Sequence, residues 1–389
     1  MKVLLVSPYS ENLVGGIINW TKYIVNYHRE HRGEVDLSLL YNDHASQVLD
    51  AATLLSRLRV GLSNYIPVVR QFRKQLSDGH YDLAHICTSA SMGLIRDLLL
   101  VQVAKKRGVS TVVHMHFGRI PQVLKSGGWE RFLLLQVVKR ADCVAVMDRG
   151  SLEALNNHGY ENVRFVPNPL SSEVQNQIIA VGNVQRNQRK IVFAGHVIPT
   201  KGVEELIKAC RGIDNIQLEI LGKVPDDSYR QRLYDIAGKG YETWLNIPGN
   251  KPFESVIKEM KSCSVFVLPS YSEGFPNVIL ESMACGCPIV ATSVGAIPEM
   301  LDSDSAESCG ICCAPRDVEK LRKSILFLLE HPAEAQEYGK RAMKRVNEMY
   351  VMPKVWAQLV HIWKDFSFSD IPEESVTVRQ VENDKESLG

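Results

Sequence analysis

Short aliphatic runs alternate with longer segments of helical period almost from end to end of the sequence, the pattern of strand-helix units on parallel sheets. A first series of strands is predicted at Lys2–Val6, Val35–Leu39, Asp82–Ile86, Thr111–His114, Cys143–Met147 and Val163–Val166, with helices including Ile17–Glu30 and Leu94–Lys106. A second series follows near Ile191–Ala194, Gln217–Leu221, Trp244–Asn246, Val265–Leu268 and Pro288–Ala291. The polar stretch Ser171–Arg189, rich in Gln and Asn, reads as a linker between them. After Pro315 the pattern is helical only, at Asp317–Glu330, Pro332–Met349 and Pro353–Phe366, the last with Val355, Leu359, Ile362 and Phe366 at helical spacing. The expected fold is α/β, two doubly wound Rossmann-like domains facing across a cleft. Their expected extents are 1–170 and 171–350, with the helix 353–366 packing back on the first and a disordered tail over 367–389.

Composition narrows the function. Lys and Arg total 45 against 44 Asp and Glu in 389 residues, so no global field draws the chain toward nucleic acid. Only Val3 to Val6 are consecutively aliphatic before Ser-Pro, too short for a signal peptide, and no later apolar run reaches the length of a membrane span. A cytoplasmic protein, at most peripheral on the inner face of the membrane, is expected. The nine cysteines read as reduced thiols. Cys309, Cys312 and Cys313, with Cys285 and Cys287 upstream, do not form the spaced pairs of a zinc site and suit a role as small buried hydrophobes.

Open α/β sheets bind ligands beyond the carboxyl ends of their strands, so chemistry is sought in the strand-to-helix turns. The first turn, Ser7–Gly16, ends in Gly15-Gly16 rather than a G-x-G-x-x-G string, which argues against a dinucleotide dehydrogenase. A glycine pair opening a helix lets a phosphate or sugar approach free N–H groups, although it also suits a plain turn. The segment Val265–Glu299 reads as buried strand, loop Pro269–Pro276, helix Asn277–Cys285 and a further strand. Asn277 is the expected helix cap and Gly286 the expected stop. Glu273 and Gly274 fall in the loop, while Glu281 sits one turn inside the helix. Two carboxylates thus flank one helix N-terminus, where a diphosphate can rest on N–H groups while carboxylates accept hydroxyls.

These residues resemble the retaining glycosyltransferases of the GT-B fold, in particular glycosyltransferase family 4, whose signature is two glutamates separated by seven residues, here Glu273 and Glu281 around GFPNVIL. The resemblance implies that Glu273 contacts the donor sugar, Glu281 the ribose, and Gly274, Phe275, Pro276 and Asn277 surround sugar and phosphates. A second likeness is AGHVIPTKG at 194–202, where Gly195, Lys201 and Gly202 match and His196 replaces the family's Arg. Histidine lacks the two-pronged guanidinium, so Lys223 after Gly222, or Arg119, is the expected helper at the diphosphate. A third is TVVHMHFGRIP at 111–121, where strand alternation puts His114 and His116 on one face, with His116 preferred beside the donor sugar. A metal held by this pair is the rival reading. VPNP at 166–169 and VGAIPE at 294–299 match the family's domain exit and its Gly-Gly-x-x-Glu turn, with Ala296 for the second Gly.

The implied reaction moves a glycosyl group from a nucleoside diphosphate sugar, UDP-sugar favoured, to a hydroxyl of a glycan or lipid-linked saccharide, in surface polysaccharide biosynthesis. His116, Lys201 and Glu273 carry the chemistry, and no metal or other cofactor is required. Asp302-Ser303-Asp304 resembles a metal-binding Asp-x-Asp but lies in a Ser-rich turn outside the cleft elements. The alternatives are a nucleotide-sugar epimerase or glycan phosphorylase of the same fold, or a non-catalytic nucleotide-sugar-binding subunit. The basic and apolar segment Arg57–Lys74 suits peripheral contact with an anionic membrane, or a solvated helical surface.

Overall fold

The computed structural model describes residues 1–10, 15–41 and 54–367, the side chains of 54–64 excepted. Expectations for the tail, for part of the Ser7–Gly16 turn and for the side chains of Arg57 and Arg59 lie outside the described residues. The first unit holds β1 (Lys2–Ser7), α1 (Gly16–Glu30), β2 (Asp36–Tyr41), α2 (Leu54–Asp78), β3 (Leu83–Thr88), α3 (Gly93–Lys105) and β4 (Ser110–Met115). It continues through α4 (Ile120–Ser126), α5 (Gly128–Arg140), β5 (Cys143–Val146), α6 (Arg149–Asn156) and β6 (Val163–Phe165). The strands pair in parallel in the order β2-β1-β3-β4-β5-β6. Both faces are covered, which is why β3 and most of β1 are continuously buried rather than alternating.

The second unit is α7 (Ser172–Ala180), β7 (Lys190–Ala194), α8 (Val203–Cys210), β8 (Gln217–Leu221), α9 (Asp227–Ala237), β9 (Leu245–Gly249), α10 (Phe253–Ser262) and β10 (Val265–Leu268). After these come α11 (Asn277–Ala284), β11 (Ile289–Thr292), α12 (Ile297–Met300), β12 (Ile311–Cys313), α13 (Val318–Glu330) and α14 (Pro332–Met349). This sheet is ordered β12-β11-β10-β7-β8-β9. Together the units are two six-stranded Rossmann-like α/β domains. In each sheet the strand order reverses once, between β1 and β3 and between β7 and β10, and ligands bind beyond such reversal points.

Two details depart from the sequence reading. The stretch taken as a linker begins with α7, whose N-cap Ser171 accepts the Val174 N–H at 3.1 Å and which buries Val174 and Ile178. A twelfth strand, β12, follows Gly310. The chain passes between the units twice, side by side: Leu170 N–H donates to Tyr350 O at 2.7 Å and Met352 N–H to Leu170 O at 3.0 Å. The last helix, α15 (Met352–Ser367), buries Val355, Leu359, Ile362 and Trp363 against Val3 and Leu5 of the first sheet and Trp20 of α1. All nine cysteines are free, and eight are buried.

Candidate active site

One cavity of about 1010 Å³ lies between the carboxyl ends of the two sheets. Gly15, Gly16, His116, Gly195, His196, Lys201, Gly222, Lys223, Glu281 and the whole loop from Glu273 to Asn277 line it. Gly202 does not. It caps α8 at φ +69°, and an added Cβ would stand 2.0 Å from the Pro269 carbonyl oxygen, so it seats the Lys201 turn against the Glu273 loop.

The two reversal points account for this assembly. The turn after β7 delivers His196 and Lys201, and the loop after neighbouring β10 delivers Glu273. Lys201 Nζ donates to Glu273 Oε1 at 2.5 Å, so the two groups expected at the diphosphate and the sugar are in direct contact. His196 is exposed at the rim near Lys223, whose carbonyl accepts the Val197 N–H at 3.0 Å. Arg119, the other expected helper, is engaged elsewhere: it forks onto Glu130 at 2.5 and 2.9 Å and reaches Ser91 Oγ. That pairing holds the Glu130 carboxyl below its ordinary range.

Asn277 is not the cap of α11. Pro276 occupies that position with no side-chain cap, and Asn277 is the first helical residue, its Oδ1 3.4 Å from Asn168 Nδ2. Asn168 also donates to the Phe275 carbonyl at 3.0 Å, tying the loop to the first passage between domains. With no side chain over it, the positive end of α11 is open to the cavity. Gly286, at φ +66°, lies just past the helix end as expected. Glu281 faces inward, half-buried, with no hydrogen bond or ion pair among the described residues. Burial raises its pKa to about 7. Tyr23, reaching across from α1, is pushed up to about 12, chiefly by burial and then by the charges of Glu281 and Glu173.

The wall from the first domain is aromatic and neutral. His116, just past β4, packs 4.9 Å from Trp20 and 4.0 Å from His114, ring centre to ring centre. Burial, with a smaller effect from His85, lowers its pKa to about 3. His114 is fully buried and does not line the cavity, so only His116 of the pair reaches a ligand. Behind them lie His85 and Cys87, and with His114 they form the one group of possible metal ligands among the described residues, their atoms within 4.8 Å. Trp363 Nε1 donates to His85 Nδ1 at 2.9 Å, so a neutral His85 carries its proton on Nε2 and has no free lone pair for an ion. Asp302 of the Asp-x-Asp turn sits 3.4 Å from Arg345 and does not line the cavity.

The walls also touch. A Cβ on Gly118 would stand 2.8 Å from Glu273 O and 3.1 Å from Gly274 Cα, so the domains meet there backbone to backbone. Nearby, the Arg149 N–H and Nε donate to the Glu299 carboxylate at 2.9 and 3.1 Å, although burial still raises the Glu299 pKa. Sequence reasoning did not single out Tyr23, Asn168, Asn250 or Lys251 as lining residues. For Asn250 and Lys251 the signal was available, since they follow β9 in a strand-to-helix turn.

Residues 174–345 match the family described as glycosyl transferases group 1. Among similar sequences is the phosphatidyl-myo-inositol mannosyltransferase of Mycolicibacterium smegmatis, 23% identical over 406 residues that cover 100% of this chain and 99% of that protein. Among solved structures, sucrose-phosphate synthase from Thermosynechococcus elongatus superposes with a TM-score of 0.68 at 18% identity, covering 94% of this chain and 98% of that one. HepE of Anabaena in complex with UDP-glucose gives 0.66 at 16% identity, over 94% and 100% of the two chains. Residues 174–345, most of the second domain, are thus similar to a glycosyltransferase group 1 domain, and the two-domain architecture is that of the GT-B fold.

Proposed function

We propose that the protein transfers a sugar from a nucleoside diphosphate sugar, a UDP-sugar in preference, to a hydroxyl of a glycan or lipid-linked saccharide, with retention of configuration as in glycosyltransferase family 4. The observation that carries the proposal is the Lys201–Glu273 contact beside the uncapped end of α11. On donor binding Lys201 turns to the diphosphate, and Glu273 is left to accept hydroxyls of the sugar. As the glycosyl bond breaks, negative charge gathers on the leaving diphosphate. Lys201, once turned there by donor binding, His196 and the α11 N–H groups stabilise that charge, and no metal is needed where these groups suffice. A departing phosphate oxygen takes the acceptor proton on the same face, so neither glutamate acts as a nucleophile. His116 lies on the opposite wall, and its uncharged imidazole offers a hydrogen bond to the sugar.

UDP-glucose in HepE supports the donor class, and the name of the M. smegmatis relative supports a lipid-borne acceptor. The resemblance to glycosyltransferase family 4 adds the proposed setting, surface polysaccharide assembly at the inner face of the membrane. Nucleotide release from UDP-, GDP- and ADP-sugars, with and without saccharide acceptors, tests the reading, and the anomeric signal of the product reports retention. Acceptor-independent release of free UDP with an epimerised sugar, or release of a sugar phosphate, would replace transfer by epimerase or phosphorylase chemistry. Donor binding without turnover on any acceptor would indicate a binding subunit.

A further inference from the structure

Eight large apolar side chains stand exposed among the described residues, and four of them, Ile66, Leu99, Trp129 and Phe132, fall on three helices that lie side by side, α2, α3 and α5. These helices cover one face of the first sheet with their inner sides, through Phe72, Leu76, Leu100, Val101, Leu134 and Val137, so Ile66, Leu99, Trp129 and Phe132 are surplus to the core. Charge on the same face is one-sided. Arg70, Arg73, Lys74, Lys105 and Lys139 are exposed on the three helices, and Lys106 and Arg107 follow directly after α3. Asp78 is the sole exposed carboxylate on their described side chains, because Asp97 is buried beside Arg96 and Glu130 is engaged by Arg119. A chain of net charge +1 thus concentrates cations where it also exposes a tryptophan and a phenylalanine.

We infer that the outer face of α2, α3 and α5 docks on an anionic lipid bilayer, with Trp129 and Phe132 entering the headgroup region and the lysines and arginines lying over acidic lipid. Cations gain from the negative surface potential, and aromatic rings favour the interfacial layer. A protein partner of opposite charge is less well matched, since the apolar residues are spread over three helices rather than gathered in a groove. The arrangement is also directional. Parallel strands lead into helices whose first turns face the cleft, so Trp129 and Phe132, in the first turns of α5, sit at the cleft end and the basic residues of α2 and α3 sit toward the far end. Docking in this pose brings the mouth of the cleft to the lipid surface. The inference deepens the proposed lipid-linked acceptor and extends the docking region from the 57–74 segment to two further helices. Its test needs no transfer assay, so the two readings fail separately.

Co-sedimentation with phosphatidylglycerol-phosphatidylcholine vesicles, against phosphatidylcholine alone, is the experiment. The full chain is expected to partition onto the anionic vesicles and to leave them at high salt. Arg70→Gln/Arg73→Gln/Lys74→Gln is expected to lower partitioning by about a hundredfold, and Trp129→Ser/Phe132→Ser by roughly tenfold or more. Lys340→Gln/Lys344→Gln, on the second domain, should change nothing. Circular dichroism and thermal melts establish that each variant is folded. Equal binding to neutral and anionic vesicles, equal losses from the second-domain control, no binding at all, or a dimer that dissociates in Trp129→Ser/Phe132→Ser would each overturn the inference.

Discussion

Across the cleft, the wall from the first domain presents His116, packed against Trp20 and His114 and uncharged at pH 7, whereas the wall from the second presents Lys201 and Glu273 in direct contact. The first wall buries His116 until it loses its charge, whereas the second keeps the charges of Lys201 and Glu273 by pairing them. On the proposed reading, the charged diphosphate of a donor would lie against Lys201, and its neutral sugar between Glu273 and His116. Charge is held on long side chains, and shape by closely packed rings.

The sharpest way to break the division is to remove the charged half. Glu273→Ala and Lys201→Ala are each expected to lower kcat/KM for transfer by about a thousandfold. The double variant should lose much less than the product of the two, because each single change strands the other charge. Steady-state kinetics on the three variants checks this, and near-additive losses would mean that the residues act separately. On the neutral side, His116→Ala should cost roughly a hundredfold. Because the native histidine keeps a pKa near 3, its contribution to the rate should be flat from pH 6 to 8, and a step near pH 6.5 that vanishes in His116→Ala would contradict the neutral assignment.

The same burial bears on stability. Unfolded histidines take up protons below about pH 6.5, while native His85 and His116 do so only near pH 3 and burial holds His114 well below its ordinary value. The unfolded chain therefore binds more protons throughout that window, and stability falls as pH drops through it. Urea midpoints should decline over this range, and His114→Phe should lessen the decline.

Where the walls meet, Gly118→Val places methyl groups against the Glu273 carbonyl and should hold the domains apart, raising the donor KM by about tenfold with little change in melting temperature. The smallest expected effect is at Glu281. Its pKa of about 7 leaves this cavity carboxylate half ionised at neutral pH, so if it accepts a hydroxyl of the donor, donor affinity should rise a few-fold between pH 6 and 8. Glu281→Gln should abolish that rise, as read by calorimetric titration with UDP at each pH.

Much of the fold was legible because its strands are short, apolar and closed by glycine or proline, and because Glu273 and Glu281 stand at a fixed spacing on either side of one helix start. What escaped notice depends on distance in space rather than in sequence. Arg119 looked free until α5 brought Glu130 beside it. Asn277 looked like a cap because its type favours that role, but Pro276 took the position and Asn168, more than a hundred residues earlier, took its side chain. The run Ile311–Cys313 is three residues long, too short for any period to show, and α7 buries only Val174 and Ile178 amid polar residues.

The two chain passages that lie side by side at Leu170 and Val351 have a mechanical consequence. A single connecting strand lets two lobes swivel as well as swing, whereas a pair of adjacent tethers resists torsion and leaves one easy motion, like a door on two pins. Were the domains to part and meet again, that pairing would return Lys201 to the same place opposite His116. Cutting one tether would keep the lobes joined but free to turn, and alignment would be lost long before either core was.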